Sequence, residues 1–235
     1  MTGSVADLLR HPDIWRGGAA ADTPGLPSGF AALDQRLPGG GFPANGLTEI
    51  TPDSSGIGEL GLMLPALIAA IEQGRHLLWV APPHLPYAPA LAAAGLDLTR
   101  LATVTTASAP DALWAAEQGL RAGAVVVLWA ADFTAPAARR LQLAAEAGNR
   151  PGFIQRPPGM PADPRLPAAL RLRLAPGPLV HVLKCRGRAG FRVDLSRSMS
   201  ARTRAADNQS GIADAMALPV ATGAGAGRPL PARHA

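Results

Sequence analysis

The sequence has little cysteine and few aromatic side chains. Among 235 residues there is one cysteine, Cys185, and aromatic residues make up 4%. A lone cysteine cannot close an internal disulfide, which excludes the disulfide-stabilised secreted class and favours a reducing, cytoplasmic setting. With so few rings, a core has to be assembled from Leu, Val, Ile and Ala on many short elements.

Long apolar runs, targeting signals and metal-binding patterns are also missing. No stretch of about 18 residues is free of charge, proline and glycine, which excludes a membrane-spanning helix. The first residues include Asp7 and no apolar segment of signal-peptide type, so we expect no signal peptide. The five histidines follow no metal-ligand spacing and Cys185 has no cysteine partner, so we expect neither a metal nor a cofactor.

Positive charge is concentrated in the second half of the chain. Residues 1–135 contain six arginines and twelve acidic residues, whereas residues 136–235 contain fifteen arginines, one lysine and five acidic residues. A basic half suggests a nucleic acid or an acidic protein partner, and the alternative is a solvated, arginine-rich surface without any partner.

The sequence pattern divides the chain into three parts. Residues 1–29 are predicted to form a helix at 4–10, followed by a linker rich in Gly, Ala and Pro. Residues 30–196 carry the apolar periodicity of one core domain. Residues 197–235 combine Ala, Gly, Pro and Arg without periodicity, which predicts a disordered basic tail.

Within the core domain, predicted strands alternate with predicted helices. Helices are expected over 59–73, 87–94, 109–121 and 134–147, with Ser108 and Thr134 as N-caps and Gly148 closing the last one. Strands are expected over 47–50, 76–80, 102–105, 124–129 and 152–155. This alternation predicts an α/β fold with a mostly parallel sheet flanked by helices. The stretches 169–174, 179–184 and 191–195 predict a short antiparallel meander at its C-terminal end.

A loop between the first strand and the first long helix lies where a phosphate-binding P-loop is found. The P-loop pattern is G-x-x-x-x-G-K-[ST], and the loop here contains Thr51, Ser54, Ser55, Gly56, Ile57 and Gly58. Only Gly56 fits, because Thr51 replaces the first glycine, Ile57 stands at the lysine position and Gly58 at the hydroxyl position. Glu59 follows, and its carboxylate at the helix N-terminus would repel an anion.

Two more groups needed for phosphoryl transfer are missing from their expected positions. The buried strand 124–129 should end in an acidic residue near Trp129 or Ala130, and Asp132 comes too late unless the strand end is bulged. A general-base glutamate is expected after the second strand, where the sequence reads Ala81-Pro82-Pro83-His84. Without these groups nothing neutralises a transferring phosphoryl group, so we expect a pseudo-ATPase with no catalytic residues.

Several longer blocks resemble a known family. Residues 26–34, 37–43, 47–50 and 54–56 resemble the ATPase core of RecA. Residues 81–90, 108–118, 139–146 and 183–187 resemble ImuA, the family of translesion DNA synthesis-associated proteins, and the likeness covers roughly residues 8–196. The resemblance implies a RecA-like fold. Lys184 and Arg186 resemble the basic pair by which RecA protomers reach a neighbour's ATP.

The resemblance also implies a function and partners. Members of the ImuA family act in SOS-induced, error-prone translesion synthesis beside the ImuB-like protein and the error-prone polymerase ImuC, with RecA as a further partner. We therefore expect a non-catalytic adaptor of a mutagenesis complex. The alternative is a SulA-type cell division inhibitor that binds FtsZ, which is also RecA-like and lacks a P-loop; a third is an NTPase with divergent phosphate chemistry.

The candidate partner or DNA contacts are basic or aromatic residues expected outside the core. They are Trp15, Arg139, Arg140, Arg171, Arg173, Lys184, Arg186 and Arg188. The alternating strand 169–174 places Arg171 and Arg173 on one face, opposite its leucines. With Lys184, Arg186, Arg188 and Arg192 they can form a basic sheet face. A solvated surface position is the alternative for each arginine, and packing on its own domain is the alternative for Trp15. Trp79, Trp114 and Trp129 are expected in the core.

Overall fold

The computed structural model describes residues 24–131, 133–161, 167–187 and 189–198. Four sequence predictions therefore lie outside the described residues. They are the helix at 4–10, the contact candidates Trp15 and Arg188, the position of Asp132, which comes too late for a strand-end acid unless the strand end is bulged, and almost all of the tail 197–235.

Five α-helices and eight strands make up the described part of the chain. The helices are α1 (Ala31–Asp34), α2 (Glu59–Glu72), α3 (Ala88–Ala93), α4 (Ala109–Arg121) and α5 (Ala135–Gly148). The strands are β1 (Leu47–Pro52), β2 (Leu77–Val80), β3 (Leu101–Val104), β4 (Val125–Trp129), β5 (Gly152–Gln155), β6 (Leu170–Ala175), β7 (Leu179–Lys184) and β8 (Phe191–Asp194).

All eight strands belong to one sheet, in the order β3-β2-β4-β5-β1-β6-β7-β8. Strands β1 to β6 run parallel, and β7 and β8 are added antiparallel. The predicted α/β architecture, with a mostly parallel sheet and an antiparallel meander at its C-terminal end, is confirmed. Because β1 lies inside the sheet between β5 and β6, the loop that follows it emerges near the middle of one sheet edge.

Alternation along the strands separates two apolar cores. In β1 the side chain of Ile50 joins the larger cluster, which α1, α2 and α3 share, whereas Leu47 joins the smaller one, which α4 and α5 share. The extensive contacts of α4 and α5 are with β1, β2, β4 and β5. The α4/α5 side of β6, β7 and β8 is therefore the part of the sheet that the two helices leave open.

The start of the described chain packs against the core next to the glycine-rich bend at residues 39–41. Leu26, in the segment predicted to be a linker, is buried and forms an antiparallel bridge with Phe42. Gly41 lies so close to this segment that a Cβ atom would come within 2.2 Å of the carbonyl oxygen of Leu26. Glycine is required there because any side chain would push the two backbone segments apart.

The predicted helix starts are confirmed, whereas one helix end and one core position are wrong. The side-chain oxygens of Ser108 and Thr134 accept the backbone N–H groups of Asp111 and Ala137. Helix α5 does not close at Gly148, which is its last helical residue; Asn149 takes the left-handed conformation, with φ of 49°. Trp114, expected in the core, is 62% exposed on α4.

In the described ranges no helix is both long and apolar enough to cross a membrane, and no group of histidine, cysteine and carboxylate side chains has a metal-binding arrangement.

Candidate functional site

The loop between β1 and α2 has the position of a phosphate loop and a backbone that glycine makes possible. Ser54, Ser55 and Gly56 are exposed, while Thr51 at the end of β1 is buried. Gly56 and Gly58 have φ of 77° and 104°, in the left-handed region that side-chain-bearing residues avoid. Two glycines of this loop therefore adopt left-handed backbone conformations.

Glu59, the first residue of α2, closes this loop with its own carboxylate. The backbone N–H of Gly56 donates to Oε1 of Glu59 at 2.9 Å. Its second oxygen, Oε2, is buried and has no hydrogen-bond partner among the described residues. The Gly56 N–H group is thus occupied by an internal anion, which also takes the favourable end of the helix dipole.

Apolar side chains stand at the positions where a lysine and a metal-binding acid would be needed. Ile57 is half-buried and packs against the larger apolar cluster. Trp129 at the end of β4 packs against the same cluster, with its ring edge-on to Trp79 at a centroid distance of 5.5 Å. Neither Ile57 nor Trp129 can neutralise phosphate charge or ligate a magnesium ion.

Arg173, the arginine next to the loop, already forms an ion pair with a residue of the loop. Asp53, the first residue after β1, forms an ion pair with Arg173 of β6, and the Asp53 N–H donates to the carbonyl of Leu174 at 2.8 Å. The described loop therefore places two carboxylates, those of Asp53 and Glu59, around its backbone turn.

Three buried charged side chains form a network centred on β1, which the sequence analysis did not predict. Glu49 of β1 accepts from Nε of Arg171 at 2.6 Å, and its other oxygen lies 3.6 Å from Nε of Arg156. All three side chains are buried. Arg171, a predicted contact residue, thus lies inside the fold. The available signal was an acidic residue in the otherwise uncharged strand Leu47–Pro52, facing an alternating Leu-Arg strand.

Arg139 and Arg140 lie on α5 in different surroundings. Arg140 forms an ion pair with Glu117 of α4, which also pairs with Arg121 at 3.1 Å. Burial works to raise the pKa of Glu117, but hydrogen bonds from Arg140 and Arg121 outweigh it and hold that pKa below its ordinary value. Both arginines are exposed, and Arg140 joins the two helices through its ion pair.

Arg173 and Arg192, two of the residues predicted to form a basic sheet face, lie on either side of His181. Arg173 of β6 is in register with His181 of β7, which is in register with Arg192 of β8. Burial and the charge of Arg192, then that of Arg173, lower the pKa of His181, while Asp53 acts in the opposite direction. Two guanidinium groups and an imidazole therefore form a row across the open side of the meander.

Lys184 and Arg186 lie at the opposite end of the sheet from the loop. They border a groove of about 710 Å³ whose other walls include Asn45 and Gln142. Burial and the nearby Arg171 lower the pKa of Lys184, against an opposite effect of Glu49. Cys185 is half-buried and packs against the larger apolar cluster.

The described candidates thus occupy three places rather than one. The degenerate loop lies at the carboxyl end of β1, Arg139 and Arg140 lie on α5, and Arg173 and Lys184 lie at opposite ends of the open face. Their roles as contacts remain predictions.

Comparison with known proteins gives two sets of relatives. The family model described as cell division inhibitor SulA matches residues 49–152. The cell division inhibitor SulA of Edwardsiella piscicida is 34% identical over 127 residues, which are 49% of this chain and 76% of that protein. Protein ImuA of Caulobacter vibrioides is 32% identical over 178 residues, covering 68% of this chain and 72% of that protein.

Among solved structures, SulA from Pseudomonas aeruginosa is 28% identical and aligns with a TM-score of 0.40, covering 46% of this chain and 96% of that chain.

Proposed function

This chain belongs to the family that contains the cell division inhibitor SulA and protein ImuA, and from that premise we propose that it is a non-catalytic protein of the DNA-damage response, which acts by binding other proteins. We place the protein in SOS-induced mutagenesis, in the cytoplasm. The fold we assign to it is RecA-like, since a glycine turn between an inner parallel strand and a helix occupies the phosphate-loop position.

The observation that carries the proposal is the state of the β1–α2 loop. The Gly56 N–H is hydrogen bonded to the Glu59 carboxylate, and Ile57 at the lysine position packs on the core. A triphosphate brought to this turn would meet a fixed negative charge and no cation from the loop. Phosphoryl transfer depends on placing positive charge and hydrogen-bond donors around the transferring group.

The partners we propose are the ImuB-like protein and, through it, the polymerase ImuC, with RecA as a further partner. The ImuA relative supports this choice because it aligns with 68% of the chain, whereas the SulA relative aligns with 49%. The adaptor would therefore use parts of the chain that lie outside the SulA family match.

A second candidate function is that of a SulA-type division inhibitor that binds FtsZ. It is favoured by the SulA family match over residues 49–152 and by 34% identity to a protein with that name. The two candidates differ in partner, and both require that the loop does not act as an ATPase.

The deciding experiment measures nucleotide affinity and partner capture on one preparation of the full chain. Calorimetric titration with magnesium-ATP is expected to show no saturable binding, because the loop offers no cation. Immobilised chain is expected to retain the purified ImuB-like protein of the same organism to the same extent with and without magnesium-ATP. Light scattering by purified FtsZ filaments is expected to be unchanged.

Each arm has an outcome that contradicts a different part of the proposal. Micromolar, magnesium-dependent ATP affinity would remove the pseudo-ATPase assignment. Failure to retain the ImuB-like protein or RecA, together with loss of FtsZ filaments at stoichiometric amounts of the chain, would replace the adaptor by the division inhibitor.

A further inference from the structure

The open side of the β6–β8 meander carries a patch of positive charge, which we call the basic face and define as Arg173, His181, Lys184 and Arg192. The register Arg173–His181–Arg192 places three of these side chains side by side across three strands. A register shift in the β6–β7 pair places Lys184 opposite Arg171, farther along β7. The face thus follows β7 along most of its length.

Charge on this face is only partly neutralised. Arg173 has an ion pair with Asp53. Lys184 and Arg192 are exposed, and within the described ranges neither has a carboxylate within ion-pair distance. Lys184 lies directly opposite Arg171 of β6, and like charges placed opposite each other on neighbouring strands are unfavourable. An anionic group beside Lys184 would relieve that repulsion.

Apolar surface accompanies the charge. Leu183, next to Lys184 on β7, is 39% exposed. No phenylalanine, tyrosine or tryptophan side chain belongs to the described basic face, and Phe191 of β8 points into the core on the other side, where Arg36 stacks on its ring at 4.5 Å. Unspecific binding of single-stranded nucleic acid uses stacking on aromatic rings. A surface that combines cations with an exposed leucine and lacks aromatic rings fits an acidic peptide better than a single-stranded nucleic acid.

The chain's own C-terminal segment is a poor occupant of this face. Residues 197–235 contain five arginines and two aspartates, so that segment is itself basic. Placing it over Lys184 and Arg192 would bring like charges together. Residues 1–23 contain three aspartates and two arginines and are nearly neutral, so charge complementarity points to an acidic segment on another protein.

We propose that the basic face binds an acidic, partly apolar segment of a partner protein, with Lys184 and Arg192 contacting its carboxylates and Leu183 its apolar side chains. This inference rests on the proposed function, since it names the surface through which a protein-binding module would act.

Fluorescence anisotropy on the full chain tests the inference with a short labelled peptide in which glutamate alternates with leucine and serine. We expect saturable binding at low ionic strength that weakens as salt is added. The double reversal Lys184→Glu with Arg192→Glu is expected to weaken binding roughly tenfold or more. Arg192→Lys keeps the charge and is expected to bind nearly as well as the unaltered chain.

The control is Arg100→Glu, which reverses an arginine just before β3, at the opposite edge of the sheet from β8, and is expected to leave peptide affinity within roughly threefold. Circular dichroism verifies that each variant is folded. The proposal is overturned if the peptide does not bind, if Arg100→Glu weakens binding as much as the double reversal, or if an oligothymidylate competes better than an unlabelled copy of the peptide. None of these outcomes touches the ATP titration, so the failure of this surface is distinguishable from failure of the pseudo-ATPase assignment.

Discussion

At the scale of single residues, Glu49 has the most demanding environment in the described chain. Its side chain is buried on an inner strand and lies between the guanidinium groups of Arg171 and Arg156. Removing charges from water is costly, and a buried ion pair tolerates the loss of one partner poorly because the other charge stays behind. Glu49 therefore links β5, β1 and β6 by electrostatics, in addition to the backbone ladder.

Glu49→Gln is expected to lower the free energy of unfolding by about 3–5 kcal/mol. The substitution keeps the shape of the side chain and removes the charge that balances Arg171. Urea unfolding followed by circular dichroism measures the effect. Thr48→Val is the matched control on the same strand: the Thr48 hydroxyl is buried and has no hydrogen-bond partner among the described residues, so valine should be neutral or stabilising. Equal losses in the two variants would contradict an electrostatic role for Glu49.

At the scale of elements, a carboxylate of the chain itself closes the β1–α2 loop. Glu59 at the start of α2 supplies the negative charge that the helix dipole favours and accepts the N–H of Gly56. The loop needs no ligand to satisfy that N–H, and its conformation is fixed by the chain itself.

Glu59→Gln is expected to destabilise the protein by about 1 kcal/mol, because the carboxylate loses its interaction with the helix N-terminus. Glu72, the last residue of the same helix, is exposed at the end where negative charge is unfavourable. Glu72→Gln is therefore expected to be neutral or slightly stabilising. Urea unfolding at low and high salt measures both variants, and salt should shrink their difference. Opposite signs are the essential result; a loss in both variants would mean that the dipole argument does not hold here.

Local chemistry made most element positions predictable, and tertiary packing accounts for the errors. Ser108 and Thr134 were predicted as caps because a side-chain oxygen before a proline-containing first turn satisfies free N–H groups. Asn149, not Gly148, takes the left-handed conformation at the end of α5; the glycine at 148 meets a packing need instead, because a Cβ there would come within 1.9 Å of the carbonyl oxygen of Leu120. Trp114 was misplaced because an apolar residue in a helix does not reveal which side the sheet covers.

For the candidate site, the sequence predicted the position of the loop but not the ion pairs around it. Sequence position alone located the degenerate loop and gave Glu59 a place at the helix N-terminus. The ion pairs of Arg171 and Arg173 were not predictable, because their partners Glu49 and Asp53 are more than a hundred residues away. Strand register brings these groups together, and register depends on the whole sheet.

At the scale of the whole molecule, the sheet extends beyond the region that matches the SulA family. That match ends at residue 152, before β6, β7 and β8. Strand β6 pairs with β1 on the side away from β5. The meander also supplies buried apolar side chains to the larger cluster: Leu170, Leu172, Leu174, Val180, Val182, Phe191 and Val193.

A fragment that ends after β5, covering residues 24–156, is therefore expected not to fold cooperatively. Without β6 the inner strand β1 becomes an uncovered edge of apolar sequence, and α1 and α2 lose the side chains that close their core. Urea unfolding of this fragment should show no sharp transition. A fragment covering 24–198 keeps the meander and should unfold in one transition close to that of the full chain. If the shorter fragment unfolds as cooperatively as the longer one, the meander is an appendage to a self-sufficient domain, and the apolar cluster that it shares with α1 and α2 contributes little to folding.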